Sequence, residues 1–479
     1  MVSIKLIGKN KLLKNSVVYT AMSFLQKGAG FLLLPLYTAY LSPEQFGIAN
    51  VINASAAIYI MLFSLSLDDA VARYYFIYKS EKDKQSGFLG SIVIFSLVFS
   101  LLGFFGLYLF KSFFFNIFIN ENISSSLLIY GIISIATAPM YAIQQKIHII
   151  EERPFHYTIN TFTHFLINTL LCILFIVKYE MGAEGLLLAA AIVHIAFYLY
   201  SIVFLSKRMK LSFQFKYLKE ALKYSLPLLP NRVSSWGLVN FNKVYLGKLL
   251  TNAAVGIFNV ANYFGLIITV LAQSVSMAYQ PFVYKLLDEG DTGKEKLKNI
   301  IVVLAMCYSI AGFVLALISQ ELLDIFINKR YASAGTIIPI VVWGTTISAI
   351  STSYIYILFY YLKAPKHISI STIIAAIINI TGCIVFIPKF GLSGAVYSLF
   401  FSTVASATYK FYFANKISHM KLSAIKIFLP SVILISVTII VSVYSFNFSS
   451  KIVVIIGTAL FFLLVNKKEV KYISKYLNK

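Results

Sequence analysis

The chain has 479 residues, of which 59% are hydrophobic and only 12% charged, whereas a soluble globular chain carries about 25% charged residues. So much apolar surface excludes a water-soluble core and places the chain among polytopic α-helical membrane proteins. The formal net charge of +23 does not indicate nucleic acid, because the basic residues lie between the apolar runs and on alternate sides of them.

Lys5, Lys9, Lys11 and Lys14 precede an apolar stretch that runs to Leu41. It is too long for a cleaved signal peptide, whose apolar region spans about 7 to 15 residues. A membrane span needs about 20 mostly apolar residues. The sequence supplies about fourteen such runs, at 16–40, 46–67, 88–110, 123–146, 155–177, 184–206, 225–247, 253–284, 297–319, 333–361, 367–388, 391–414, 425–445 and 451–466. Cys172, Cys307 and Cys383 fall inside these runs, which reads as apolar packing rather than a disulfide framework or a metal site.

Most Lys and Arg residues sit on one side: Lys5 to Lys14, Arg73 to Lys84, Lys146 with Arg153, Lys207 to Lys223, Lys285 to Lys298, Lys363 with Lys366, Lys410 to Lys426, and Lys467 to Lys479. The opposite connections hold Lys111, Lys178, Lys248, Lys329, Arg330, Lys389 and Lys451. The positive-inside rule makes the first set cytoplasmic, with both termini, in a cytoplasmic (inner) membrane. Lys27, Arg232 and Lys243 remain inside spans.

Residues 154–176 align without gaps on 365–387, with 10 of 23 positions identical, against roughly two or three expected by chance. Gly47 and Gly256, and the pair Gly182 and Gly185 against Gly391 and Gly394, extend the pairing. Six spans per half make a parallel repeat, the plan of transporters that hold substrate between two lobes. The expected architecture is all-α: two six-helix lobes at 1–206 and 225–415 around a central cavity, a cytoplasmic linker at 207–224, and two extra spans with a basic tail at 416–479.

The stretch FLLLPLYTAYLSPEQFGIANVI at 31–52, with its L-S-P-E-Q-F-G turn, and LPLLPNRVSSWGLVNFNKVYLGKLLTNAAVGIFNVAN at 226–262 resemble the polysaccharide flippases, the Wzx-type O-antigen branch of the multidrug/oligosaccharidyl-lipid/polysaccharide exporter superfamily. The resemblance covers nearly the whole chain. One departure is Asn242-Lys243, where family members often carry Asp-Arg. The resemblance implies movement of a lipid-linked oligosaccharide on an undecaprenyl diphosphate carrier from the cytoplasmic to the outer leaflet, without covalent chemistry or cofactor. Membrane lipids, a polysaccharide polymerase and its chain-length machinery are the partners it implies.

Candidate substrate-binding residues come from polar groups placed in apolar runs. Lys27 lies about 18 Å from either end of its span, and a lysine that deep needs a hydrated cavity. Arg232 and Lys243 stand close to three helical turns apart and are expected on one face, with Trp236 and Asn240 near the same stripe as an aromatic and amide wall for sugar. Asn259, Asn262 and Gln273 in the eighth span and Asn160 and His164 in the fifth form two further polar stripes, whose competing role is interhelical hydrogen bonding. Asp68, Asp69 and Arg73 at the cytoplasmic end of the second span are a candidate gate.

Two other classes compete. A multidrug antiporter is disfavoured by the cationic lining and the lack of a deep carboxylate. A membrane glycosyltransferase or ligase would need paired acids near an interface, for which only Asp68-Asp69 and Glu151-Glu152 are available. No Gly-rich phosphate loop with Lys and Ser/Thr occurs, so ATP hydrolysis is not expected.

Overall fold

The computed structural model describes residues 30–118, 123–362, 364–444 and 446–465. Regular structure among them is helical: α1 Gly30–Tyr40, α2 Pro43–Ser64, α3 Leu67–Ile77, α4 Lys82–Leu109, α5 Lys111–Asn116, α6 Ser125–Ile150, α7 Pro154–Ile173, α8 Gly182–Ser206, α9 Phe215–Ser225, α10 Leu229–Val239, α11 Phe241–Leu249, α12 Asn252–Asp288, α13 Asp291–Phe326, α14 Ile338–Tyr360, α15 Pro365–Phe390, α16 Leu392–Ser418, α17 Ala424–Val443 and α18 Phe448–Val465. Each expected span from 46–67 onward has a helical counterpart in this order, and of the first, at 16–40, the described residues include only 30–40, as α1. Among the described residues ten helical stretches, with α2 and α3 counted together as Pro43–Ile77, are long and apolar enough to cross a membrane, so the chain is a multi-pass all-α membrane protein.

Three spans depart from the simple rods expected. The second runs over 35 residues, Pro43–Ile77, and is broken where Leu65 (φ 47°) and Ser66 (φ 54°) are both left-handed. The fifth ends in a π-turn over Leu174–Lys178. The seventh is interrupted at Asn240 (φ −114°, ψ −21°), which separates α10 from α11.

The L-S-P-E-Q-F-G segment is a helix start. Ser42 caps α2 by accepting from the Gln45 N–H at 3.2 Å, and Gln45 Oε1 accepts from the Ser42 N–H at 3.1 Å, with Pro43 opening the helix. This reciprocal cap satisfies two orphan donors. Gly47 is required because a Cβ there would lie 1.7 Å from the Asn252 carbonyl oxygen, and one on its repeat counterpart Gly256 would lie 2.0 Å from that of Pro43.

Packing divides the described residues into two compact units. One comprises 37–256, and the other 257–465 together with 30–36. In the first unit α6 packs between α2, α4 and α8. The basic segment 207–224, read from sequence as a linker, is docked here: Lys210 N–H donates to the Ser86 carbonyl at 3.0 Å, and Gln214 N–H to Ser91 Oγ at 2.9 Å. Amphipathic α9 then buries Tyr217, Leu218 and Ala221 against Val71, Phe88 and Leu89, and the packing boundary falls at Gly256 rather than at the end of this segment.

In the second unit α13 packs against α14, and α16 against α14 and α15. Tyr354 Oη donates to the Ala407 carbonyl at 2.9 Å and Tyr279 Oη to that of Ser353 at 2.7 Å. The last two spans attach through α13 and α14. Ser309 and Ser431 hydroxyls meet at 2.8 Å, Trp343 Nε1 donates to Thr438 at 3.2 Å, and Lys451 pairs with Glu321 at 2.8 Å.

Candidate functional site

The break at Leu65–Ser66 starts α3 afresh, and Asp68 and Asp69 occupy its first turn. Carboxylates there face the unpaired N–H groups and positive end of a helix. Two cations from other helices of the same unit converge on them. Arg232 Nη2 of α10 lies 2.8 Å from Asp68 and 2.5 Å from Asp69, while Lys146 Nζ of α6 lies 2.7 Å from Asp69 and 3.7 Å from Asp68. The cluster is formally neutral and graded in exposure, from 7% for the Asp68 side chain to 34% for that of Lys146. Asp68 Oδ1 is buried without a hydrogen-bond partner, so the cluster retains acceptor capacity.

Burial of this degree lies between an exposed pair, contributing about 0–1 kcal/mol, and a buried one, whose breakage costs about 3–5 kcal/mol. The arrangement therefore fixes geometry more than it stabilises the fold. Chemically it holds two cations on carboxylates that a phosphate could replace, since Arg and Lys pair with either oxyanion.

The other sequence candidates divide. Arg73 does not join the cluster; its guanidinium lies 4.6 Å over the Tyr224 ring. Trp236 is buried rather than offered as a sugar wall, with Nε1 donating to the Ala54 carbonyl at 2.8 Å and its ring packed with Ala54 and Val244. Asn240 is the turn residue itself, so the spacing argument that put Arg232 and Lys243 on one continuous face does not hold. An amide side chain competes with the helical backbone at such a position.

Lys243 is half-buried and has no carboxylate partner among the described residues. Asn259 and Asn262 belong to the second unit, where Asn262 Nδ2 bonds back to the Phe258 carbonyl at 2.8 Å, and Gln273 lies further along the same helix, α12. His164 stacks on Tyr141 at 5.2 Å and meets Phe197 edge-on at 4.8 Å. Asn160 lines a cavity between α7 and α8. Lys27 lies outside the described residues. Among the described residues no group of three or more His, Cys, Asp or Glu side chains is placed to hold a metal.

Lys146 is the member that the sequence reading missed. It stands at the end of an apolar run and counts there as a loop charge. The signal was available in register: Lys146 ends its run at the same membrane side as Asp68 and Asp69 end theirs. Glu151, the acid weighed for glycosyl transfer, instead accepts from Tyr75 Oη at 2.9 Å and pairs with Arg153 at 3.1 Å.

A family model described as polysaccharide biosynthesis protein matches residues 12–287. The chain belongs to that family. An uncharacterized membrane protein of Haemophilus influenzae is 22% identical over 402 residues, 80% of this chain and 94% of the relative. The fold is that of a solved structure titled lipid II flippase MurJ in an inward closed conformation, with TM-score 0.73, 16% identity, and coverage of 95% of this chain and 99% of that one. An inward-facing multidrug resistance MATE family transporter of the MOP superfamily gives TM-score 0.60 at 15% identity, covering 85% and 99%. Family membership supplies the polysaccharide biosynthesis setting, and these neighbours supply the fold.

Proposed function

We propose that the chain is a flippase that carries a lipid-linked oligosaccharide, on an undecaprenyl diphosphate carrier, from the cytoplasmic to the outer leaflet by alternating access between its two repeat-related halves. The protein sits in the cytoplasmic membrane with both termini inside and feeds a polymerase and its chain-length machinery. The observation that carries this reading is the Asp68–Asp69–Lys146–Arg232 cluster in a chain of the polysaccharide biosynthesis family. In the resting state the two carboxylates occupy Arg232 and Lys146. An arriving diphosphate competes for the same cations, and its binding releases α3 at the Leu65–Ser66 break, so the cluster acts as a gate opened by the cargo's own charge. Lys243, and Lys27 in the first span, extend the cationic path. Because one anion replaces another, the exchange is nearly balanced and leaves the cargo free to depart, whereas an unpaired cation pair would trap it.

The test is complementation of a strain lacking this gene. Arg232→Gln and Lys243→Ala should reduce surface glycan strongly at unchanged protein level, with lipid-linked intermediates accumulating in the cytoplasmic leaflet. Full glycan display by the double variant would overturn the cationic path.

A further inference from the structure

The segment 207–225 of the first unit carries a second cationic surface, distinct from the cluster around Asp68. α9 turns Tyr217, Leu218 and Ala221 into the unit and leaves Lys216, Lys219 and Lys223 exposed, three side chains that share one helical face by their spacing. None of them has a carboxylate partner among the described residues. Glu220, the acid of α9, accepts from Tyr78 Oη at 2.8 Å, a bond that helps to hold the lysine face outward. Before α9 the backbone is extended at Gln214 (φ −125°, ψ 117°) and turns main-chain polar groups onto α4. Gln214 N–H donates to Ser91 Oγ at 2.9 Å, and the Ser212 carbonyl accepts from the same hydroxyl at 3.4 Å. Residues two apart in extended backbone share a side, and Phe213 and Phe215 are 48% and 68% exposed. Two aromatic rings and a row of uncompensated lysines thus stand together on one continuous stretch.

We propose that this stretch docks on the anionic lipid surface of the host bilayer, with Lys216, Lys219 and Lys223 on lipid phosphates and Phe213 and Phe215 at the headgroup level. Charge complementarity and the two rings together decide the occupant. An acidic soluble protein would answer the lysines and leave the rings in water, whereas a neutral bilayer would take the rings and leave the lysines without counter-charge. An anionic leaflet supplies both, because lysine heads stay with phosphate while aromatic bodies settle among the headgroups. The bilayer is also within permanent reach. Residue 207 follows directly on α8, which is long and apolar enough to cross the membrane. The docking concerns the host lipid and stands whatever cargo the protein moves.

The experiment uses the full-length chain in liposomes of equal parts phosphatidylglycerol and phosphatidylcholine, with bromine on the upper acyl chains of one lipid or the other. Phe215→Trp keeps an aromatic ring and serves as the reporter. Its fluorescence is read as the increment over the parent protein, whose Trp236 and Trp343 are buried, and is quenched by the brominated lipid beside it. Quenching by brominated phosphatidylglycerol should exceed that by brominated phosphatidylcholine about fivefold, the factor for one lysine near an anionic surface. Adding Lys216→Gln, Lys219→Gln and Lys223→Gln should bring the two lipids to equality. The thermal unfolding midpoint should not move, because these side chains are exposed, and its constancy separates lost docking from lost folding. Removing the same charge at Lys294, Lys296 and Lys298 should leave the lipid preference intact. A tryptophan at 215 quenched by neither lipid in folded protein, or equally by both while the lysines are present, would overturn the docking, as would loss of the preference on changing residues 294, 296 and 298.

Discussion

Arg232 and Trp236 stand about one turn apart on α10 and serve different ends. Trp236 fills a gap against α2 and spends its N–H on the Ala54 carbonyl. Its replacement by Phe should cost about 1 kcal/mol for the lost hydrogen bond, and by Ala about 3–5 kcal/mol, read as a lowered unfolding midpoint in detergent. Any loss of glycan display by either variant should follow the loss of folded protein. Arg232 answers instead to Asp68 and Asp69. Arg232→Gln leaves two carboxylates against Lys146 alone, so adding Asp68→Asn should recover the unfolding midpoint without recovering display; recovery of both would assign Arg232 a purely structural role. The sequence made Arg232, Asp68 and Asp69 legible because a charge inside or at the edge of an apolar run demands a partner. It could not make Trp236 legible, since an indole packed on a neighbouring helix and an indole facing sugar have the same spacing.

At the scale of the element, spans were readable from hydropathy and their interruptions were not. Asn240 and the Leu65–Ser66 break contain no Pro or Gly to announce them. Ser66 is fully buried, its hydroxyl has no partner, and its backbone is left-handed, three costs that glycine removes at once. Ser66→Gly should therefore raise the unfolding midpoint, by an amount corresponding to about 1 kcal/mol, while Ser66→Val should lower it because a branched side chain fits this conformation poorly. If left-handed geometry at the break is the gate's hinge, the glycine variant folds and still transports.

The glycines of the repeat make a sharper case. Gly47→Ala and Gly256→Ala each place a Cβ inside a backbone carbonyl's contact distance and should abolish folded protein, measured as the monodisperse peak after detergent extraction. Gly106→Ala meets nothing within 4 Å and should leave it unchanged. Sequence comparison of the two halves identified the pair, and the structure supplies the reason for it.

For the molecule as a whole, the number and order of helices followed from composition and period, because a bilayer leaves the backbone few alternatives to a helix. The docking of 207–225 did not follow, since it depends on which helix faces Tyr217 and Leu218, and hydropathy is silent about that. Orientation is open to a direct measurement. Leu211 is 87% exposed, so Leu211→Cys, made with Cys307 replaced by Ser, should resist an impermeant thiol reagent in intact cells and react after permeabilisation; ready reaction in intact cells would invert the topology.

The broken second span also bears on the membrane itself. As one straight rod, its 35 residues would extend about 52 Å at about 1.5 Å per residue, against a hydrocarbon thickness of about 30 Å. A rigid helix of that length must tilt or stretch its surroundings whenever the bilayer changes. Divided at Leu65–Ser66, the 22 residues of α2 alone are matched to the hydrocarbon and α3 can lie at another angle. Proteoliposomes of short-chain and long-chain lipids should thus support similar transport, and a variant that fuses α2 and α3 into one helix should become sensitive to the thickness of its host bilayer.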